Sequence, residues 1–154
     1  MSETVKTAIQ TVQVVCPHCD ATNRLPGERD ARAAKCGRCK CPLFNGHPVA
    51  MTTERFRKHL ASSEAPLIVD FWASWCGPCR AMAPVFDEAA ATLEPKARFI
   101  KIDVDAEPAL AQQFNVRGIP ALFLFKNGKV VQHHAGMADI QLFNRWVQVA
   151  NEQA

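Results

Sequence analysis

Leu67-Ile68-Val69-Asp70-Phe71-Trp72-Ala73-Ser74-Trp75-Cys76-Gly77-Pro78-Cys79 is the stretch on which the reading of this chain turns. Its first seven residues are apolar apart from Asp70, the pattern of a strand covered on both faces. From about Cys76 to Leu93 the period changes, and Met82, Phe86, Ala89, Ala90 and Leu93 fall on one face of a helix. Pro84, inside that helix, is expected to kink it. A Cys-x-x-Cys pair at a strand-to-helix turn sets Cys76 at a helix N-terminus, where free N–H groups and the macrodipole favour a thiolate. The thiolate is the form that attacks a disulfide, and Cys79 is close enough to break the mixed disulfide that results. The motif therefore reads as a dithiol redox centre. A metal half-site is the competing reading, and no second cysteine pair stands nearby to complete it.

Working outward, Pro48–Met51 predicts a short strand, and Glu54–Ser62 a helix with Thr52 or Thr53 as N-cap. Arg98–Val104 predicts the next strand and Ala109–Phe114 a short helix. Asn127-Gly128 between Ala121–Lys126 and Lys129–Ala135 is a two-residue hairpin signal. The last helix, near Ile140–Asn151, should bury Phe143, Trp146 and Val147. Strands alternating with helices and ending in a hairpin imply an α/β fold, a mixed central sheet with helices on both faces. Asp70 is costly to bury as a carboxylate; burial raises its pKa and suits it to proton transfer.

Val69–Arg80, together with Gly118-Ile119-Pro120 and Phe123–Gly128, resembles the two signatures of the thioredoxin family, in the right order, from Val49 to the C-terminus. The resemblance implies a thioredoxin fold and protein-disulfide reductase activity. It implies that Cys76 is the exposed nucleophile and Cys79 the buried resolving thiol. Asp70, six residues before Cys76, would relay a proton to Cys79, with Lys101 beside it. It further implies a cis peptide at Pro120, leaving the Ile119 backbone to pair with an extended substrate. Trp75, Gly77, Pro78 and the Gly136-Met137 loop would complete the substrate surface. Disulfide-containing proteins would be the substrates and thioredoxin reductase the electron donor, with no organic cofactor.

The N-terminal segment carries a different signal. Cys16-Pro17-His18-Cys19 and Cys36-Gly37-Arg38-Cys39 form C-x2-C-x16-C-x2-C, a spacing that fits two knuckles around one tetrahedral zinc. Val12 and Val14 alternate like a short strand, Asn23–Pro26 reads as a strand edge, and Gly27–Lys35 as a loop. So short a segment, with few large apolar side chains, needs the metal to fold. Cys41, His18 and His47 are alternative ligands ranked below Cys16, Cys19, Cys36 and Cys39. Two disulfides, or a second redox pair, are the other readings of these cysteines. A zinc ribbon ahead of a thioredoxin domain resembles the zinc-containing thioredoxins of bacteria, from which this chain departs by an extension of about a dozen residues before the first knuckle. The domains are accordingly 1–47, the ribbon with its extension, and 48–154, the thioredoxin domain.

Bulk properties narrow the class further. Seven cysteines with neither an export signal nor an apolar run near the roughly 18 residues of a membrane span point to a reducing, cytoplasmic setting. Residues 1–48 hold seven Lys/Arg against four Asp/Glu, while the remainder holds eleven of each. Zinc on four thiolates adds −2 to that segment, so no nucleic-acid surface is expected. A monomer is the default state. The rival function is a redox-regulated holdase, in which thiolate oxidation would release zinc and unfold the ribbon; the ribbon has little apolar sequence to expose.

Overall fold

The structure, a computed structural model, describes residues 11–27 and 30–152. Most of the N-terminal extension, and two positions of the loop between the knuckles, fall outside them. Strands β1 (Thr11–Val15) and β2 (Thr22–Pro26) form an antiparallel hairpin, so the end of the extension completes a ribbon strand. A turn of 3-10 helix follows at Ala31–Ala33, capped by the Asp30 side chain. Around the cysteines a small core gathers Val14, Leu25, Leu43 and Phe44.

Among the described residues, the rest of the chain is a five-stranded sheet with four helices. Elements run β3 (Val49–Ala50), α1 (Thr53–Ser62), β4 (Leu67–Trp72), α2 (Gly77–Leu93), β5 (Arg98–Asp103), α3 (Pro108–Gln113), β6 (Ala121–Lys126), β7 (Lys129–Ala135) and α4 (Ile140–Glu152). Sheet order is β3-β5-β4-β6-β7. β3 and β4 run parallel to β5, whereas β6 is antiparallel to both β4 and β7. The mixed sheet expected from the sequence is thus present. Thr52 caps α1 by accepting from the Arg55 N–H, and Asn127 and Gly128 both adopt positive φ, the geometry a two-residue hairpin requires. α2 continues through Pro84 as a single helix.

Alternation along the strands divides the core into two layers. Ile68, Phe99, Leu122 and Leu124 pack against Met82, Phe86, Phe143 and Trp146 of α2 and α4. Val69, Phe71, Ile100, Phe123 and Phe125 pack against Phe56 of α1 and Leu110 of α3. β4 lies centrally, buried from Leu67 to Phe71. It therefore presents whatever follows its C-terminal end, the Cys-x-x-Cys turn, from a rigid support.

Candidate active site and metal centre

Cys76 is the N-cap of α2, and its Sγ lies 3.2 Å from the Cys79 N–H, one of the donors the first helical turn leaves free. Once the sulfur is reduced, the donor and the helix dipole stabilise negative charge on it. The two cysteines are joined as a disulfide, with Cα atoms 5.2 Å apart. Their exposure differs less than the resemblance implies: Cys76 is 4% accessible and Cys79 2%. The asymmetry lies in their surroundings. Cys76 Sγ comes 3.7 Å from the carbonyl of half-buried Ile119, while Cys79 sits one turn inside α2 on the buried face. Exposed Gly77 and Pro78 separate them.

The Ile119–Pro120 peptide is cis, and the Ile119 carbonyl lies beside Cys76 Sγ. The Gly136 N–H donates to the Pro120 carbonyl at 2.8 Å, tying the β7–α4 loop to this turn. Gly136 has φ +96°, a conformation that favours glycine, and Met137 beside it is half exposed. Trp75 is 65% exposed, and its indole N–H donates to Asp105 at 2.8 Å, which orients the ring. Trp75, Ile119 and Met137 thus put apolar surface on the segments that flank the disulfide. Sequence reasoning missed His134, whose Nε2–H donates to the Met137 carbonyl at 3.0 Å across the same loop. Two adjacent histidines on β7, His133 and His134, give no signal for which of them reaches that carbonyl.

Asp70 is 1% exposed and alternates on β4 with Val69 and Phe71, so it faces the same layer as Ile68, toward α2. Neither carboxylate oxygen has a hydrogen-bond partner among the described residues. Burial pushes its pKa up to about 7, against a smaller opposing pull from Lys101. Lys101 is its register partner on β5, and the Lys101 ammonium lies 4.5 Å from the centre of the Trp72 ring. A carboxyl that titrates near neutrality inside the fold can take up or release a proton there.

In the ribbon, two loops repeat one geometry. The N–H groups of His18 and Arg38 each lie 3.3 Å from the first sulfur of their own pair, Cys16 or Cys36. The Asp20 and Lys40 N–H groups close each turn on the Cys16 and Cys36 carbonyls, both residues at positive φ. Sulfurs of Cys16, Cys19, Cys36 and Cys39 all fall within 4.8 Å of one another, with Cys16–Cys39 at 3.6 Å and Cys19–Cys36 at 3.7 Å. Zinc bonded to four sulfurs at about 2.3 Å needs neighbouring sulfurs about 3.8 Å apart, so the set fits one zinc. Backbone N–H contact through Cys39 and the Asn23 amide draw the Cys36 thiol down to about 6, whereas burial pushes the Cys16 thiol up to about 12. Cys41 lies outside this cluster; its carbonyl accepts from the Cys36 N–H.

Residues 47–148 match the thioredoxin family model. The chain belongs to the thioredoxin family. Residues 15–41 match a second model, described as the N-terminal region of thioredoxin 2, so the ribbon too has family precedent. Thioredoxin C-3 of Corynebacterium nephridii is 36% identical over 140 residues, covering 91% of this chain and 96% of that protein. Thioredoxin 1 of a Nostoc species is 43% identical over 86 residues, covering 56% of this chain and 80% of its own length. Among solved structures, a mutant thioredoxin from Halobacterium salinarum NRC-1 superposes with a TM-score of 0.64 at 31% identity, over 72% of this chain and 96% of that one. This thioredoxin is a thiol-disulfide oxidoreductase with an N-terminal zinc ribbon. Among the described residues no helix is long and apolar enough to cross a membrane.

Proposed function

We propose that the chain is a cytoplasmic, monomeric protein-disulfide reductase, with residues 1–47 as its ribbon domain and 48–154 as its catalytic domain. The supporting observation is the Cys76–Cys79 disulfide at the N-terminus of α2, beside a cis Ile119–Pro120 turn. In the reduced protein the Cys76 thiolate attacks one sulfur of a target disulfide. The target S–S bond breaks, a Cys76–target disulfide forms, and the other target sulfur leaves as a thiolate. Asp70 accepts the proton of Cys79, whose sulfur then attacks Cys76 Sγ and expels the second target thiolate. The Cys76–Cys79 disulfide that remains is re-reduced by thioredoxin reductase.

Substrate docks as an extended segment on the Ile119 backbone, framed by Trp75, Gly77, Pro78, Pro120, Gly136 and Met137. Cys16, Cys19, Cys36 and Cys39 would hold one zinc, which offsets half of their thiolate charge and fixes the ribbon. A holdase would have only the small cluster of Val14, Leu25, Leu43 and Phe44 to expose among the described ribbon residues. Turnover of insulin disulfides tests the proposal. Cys76→Ser should abolish reduction, and rapid turnover by that variant would overturn the mechanism.

A further inference from the structure

The ribbon meets the thioredoxin domain at β1, where Gln13 bonds to Ser62 and Glu64, at Arg32 and Gly46, which bond to Glu94, and at the backbone of its first zinc knuckle. Arg55, on α1, donates from Nε to Asp20 Oδ2 at 2.9 Å and from Nη2 to Asp20 Oδ1 at 3.0 Å. The same guanidinium donates to the Pro17 carbonyl, between the two ligand cysteines. His59, one turn further along α1 and fully buried, places Nε2 3.0 Å from Asp20 Oδ1. Burial pulls its imidazole down to about 4, so it meets the carboxylate as a neutral N–H donor. From β5, buried Arg98 donates to the Val15 carbonyl at 3.2 Å and lies 4.2 Å from the centre of the Phe44 ring. Val15, Pro17 and Asp20 all adjoin Cys16 or Cys19, so the thioredoxin domain grips the loop that presents both sulfurs. The second knuckle shows no such grip among the described residues. Lys40, the counterpart of Asp20, folds back on the Gly37 carbonyl at 2.8 Å.

We infer that Arg55 and Asp20 are positioning residues that couple zinc binding in the ribbon to the folded stability of α1 and the start of β5. The inference rests on the four-cysteine zinc reading. The knuckle holds Asp20, Pro17 and Val15 in place only while it is itself fixed, and without metal the described residues leave the Gln13, Arg32 and Gly46 contacts and one small core to fix it. Losing it strips Arg98 and His59 of their ribbon acceptors inside the thioredoxin domain, where unpaired polar groups are costly. Linkage makes the effect reciprocal: weakening the α1 clamp must weaken zinc binding by the factor through which zinc strengthens the clamp. Groups that hold metal ligands in place without touching the metal are worth about 10–100-fold in metal affinity.

Two measurements on the full chain test this. Zinc affinity is read by competition with a chromophoric chelator for wild type, Arg55→Ala and, as a control on the exposed side of α1, Arg57→Ala. Arg55→Ala should bind zinc about tenfold or more weakly while Arg57→Ala matches wild type. Hydrogen exchange with and without zinc should show α1 and the start of β5 losing protection on metal removal, with α4 unchanged. In Asp20→Ala, exchange in α1 should already be fast and independent of zinc. A change in affinity below about tenfold for Arg55→Ala, or identical α1 exchange in wild type with and without zinc, overturns the inference. Reduced wild-type protein that binds no zinc at all would instead remove the four-cysteine assignment, and the coupling with it.

Discussion

Replacing Asp70 with asparagine should stabilise the oxidised protein, and only above a defined pH. The carboxyl is buried with no hydrogen-bond partner among the described residues, and its pKa rises from 3.8 to about 7 on folding. Below pH 3.8 both folded and unfolded chains hold the proton, and the carboxyl contributes no ionisation penalty. Between pH 3.8 and about 7 the unfolded chain releases the proton while the native state keeps it, so stability falls as pH rises. Above about pH 7 the penalty is complete. At about 1.36 kcal/mol per pKa unit it amounts to about 4 kcal/mol, an upper figure for a site that relaxes on ionisation. The asparagine amide has the shape of the protonated acid and no charge to bury. Denaturant unfolding at about pH 8 should show Asp70→Asn more stable by about 2–4 kcal/mol, or roughly 10 °C in Tm for a chain of this length. At about pH 4 the two proteins should differ by less than about 1 kcal/mol. Both carry the disulfide in both states, so its contribution cancels. Equal stabilisation at the two pH values would refute the buried-carboxyl account, as would none at either. The gain should come with slower resolution of the mixed disulfide, since the proton acceptor for Cys79 is lost.

Arg98→Leu should cost about 3–5 kcal/mol in denaturant unfolding, because it leaves the Glu94 carboxylate, 3.9 Å away and equally buried, without its cation. A loss below about 1 kcal/mol would mean that Glu94, whose pKa burial already raises, takes up a proton instead of standing as an unpaired charge. His134→Ala should release the Met137 loop and raise KM for a protein disulfide about fivefold, the worth of one net hydrogen bond of about 1 kcal/mol. Reduction of a small aromatic disulfide, which needs no extended docking surface, should be unchanged; equal effects on both substrates would contradict the positioning role.

Much of this architecture is legible in the sequence because repeating patterns carry it. The apolar run at Leu67–Ala73, the Met82/Phe86/Ala90 helical face and the Asn127-Gly128 turn each match an element in the structure. Helix ends are less sharply marked, since caps rather than periodicity decide them: Cys76 is the N-cap of α2 and not its first residue. Knuckle spacing likewise brings four sulfurs together. The attachment of the ribbon is not readable. Asp20, Arg55, His59 and Arg98 are single polar residues dispersed over a turn, a helix and a strand, and no spacing rule links them. Arg98 in particular reads as the polar start of a strand, yet it is 2% exposed because a ribbon carbonyl and Phe44 cover it. The burial of Cys76 escapes the sequence for a related reason. Its sulfur is covered by the Ile119 turn, which lies 43 residues further along the chain.

Locating the first covalent bond tests the dithiol mechanism most directly. Reduced Cys79→Ser protein is mixed with a disulfide-bonded peptide, quenched in acid and mapped by mass spectrometry. The peptide should be found on Cys76, stable because no second thiol in α2 can release it. Adduct on Cys41 or a knuckle cysteine, with Cys76 still a free thiol while the wild type turns over, would contradict the mechanism.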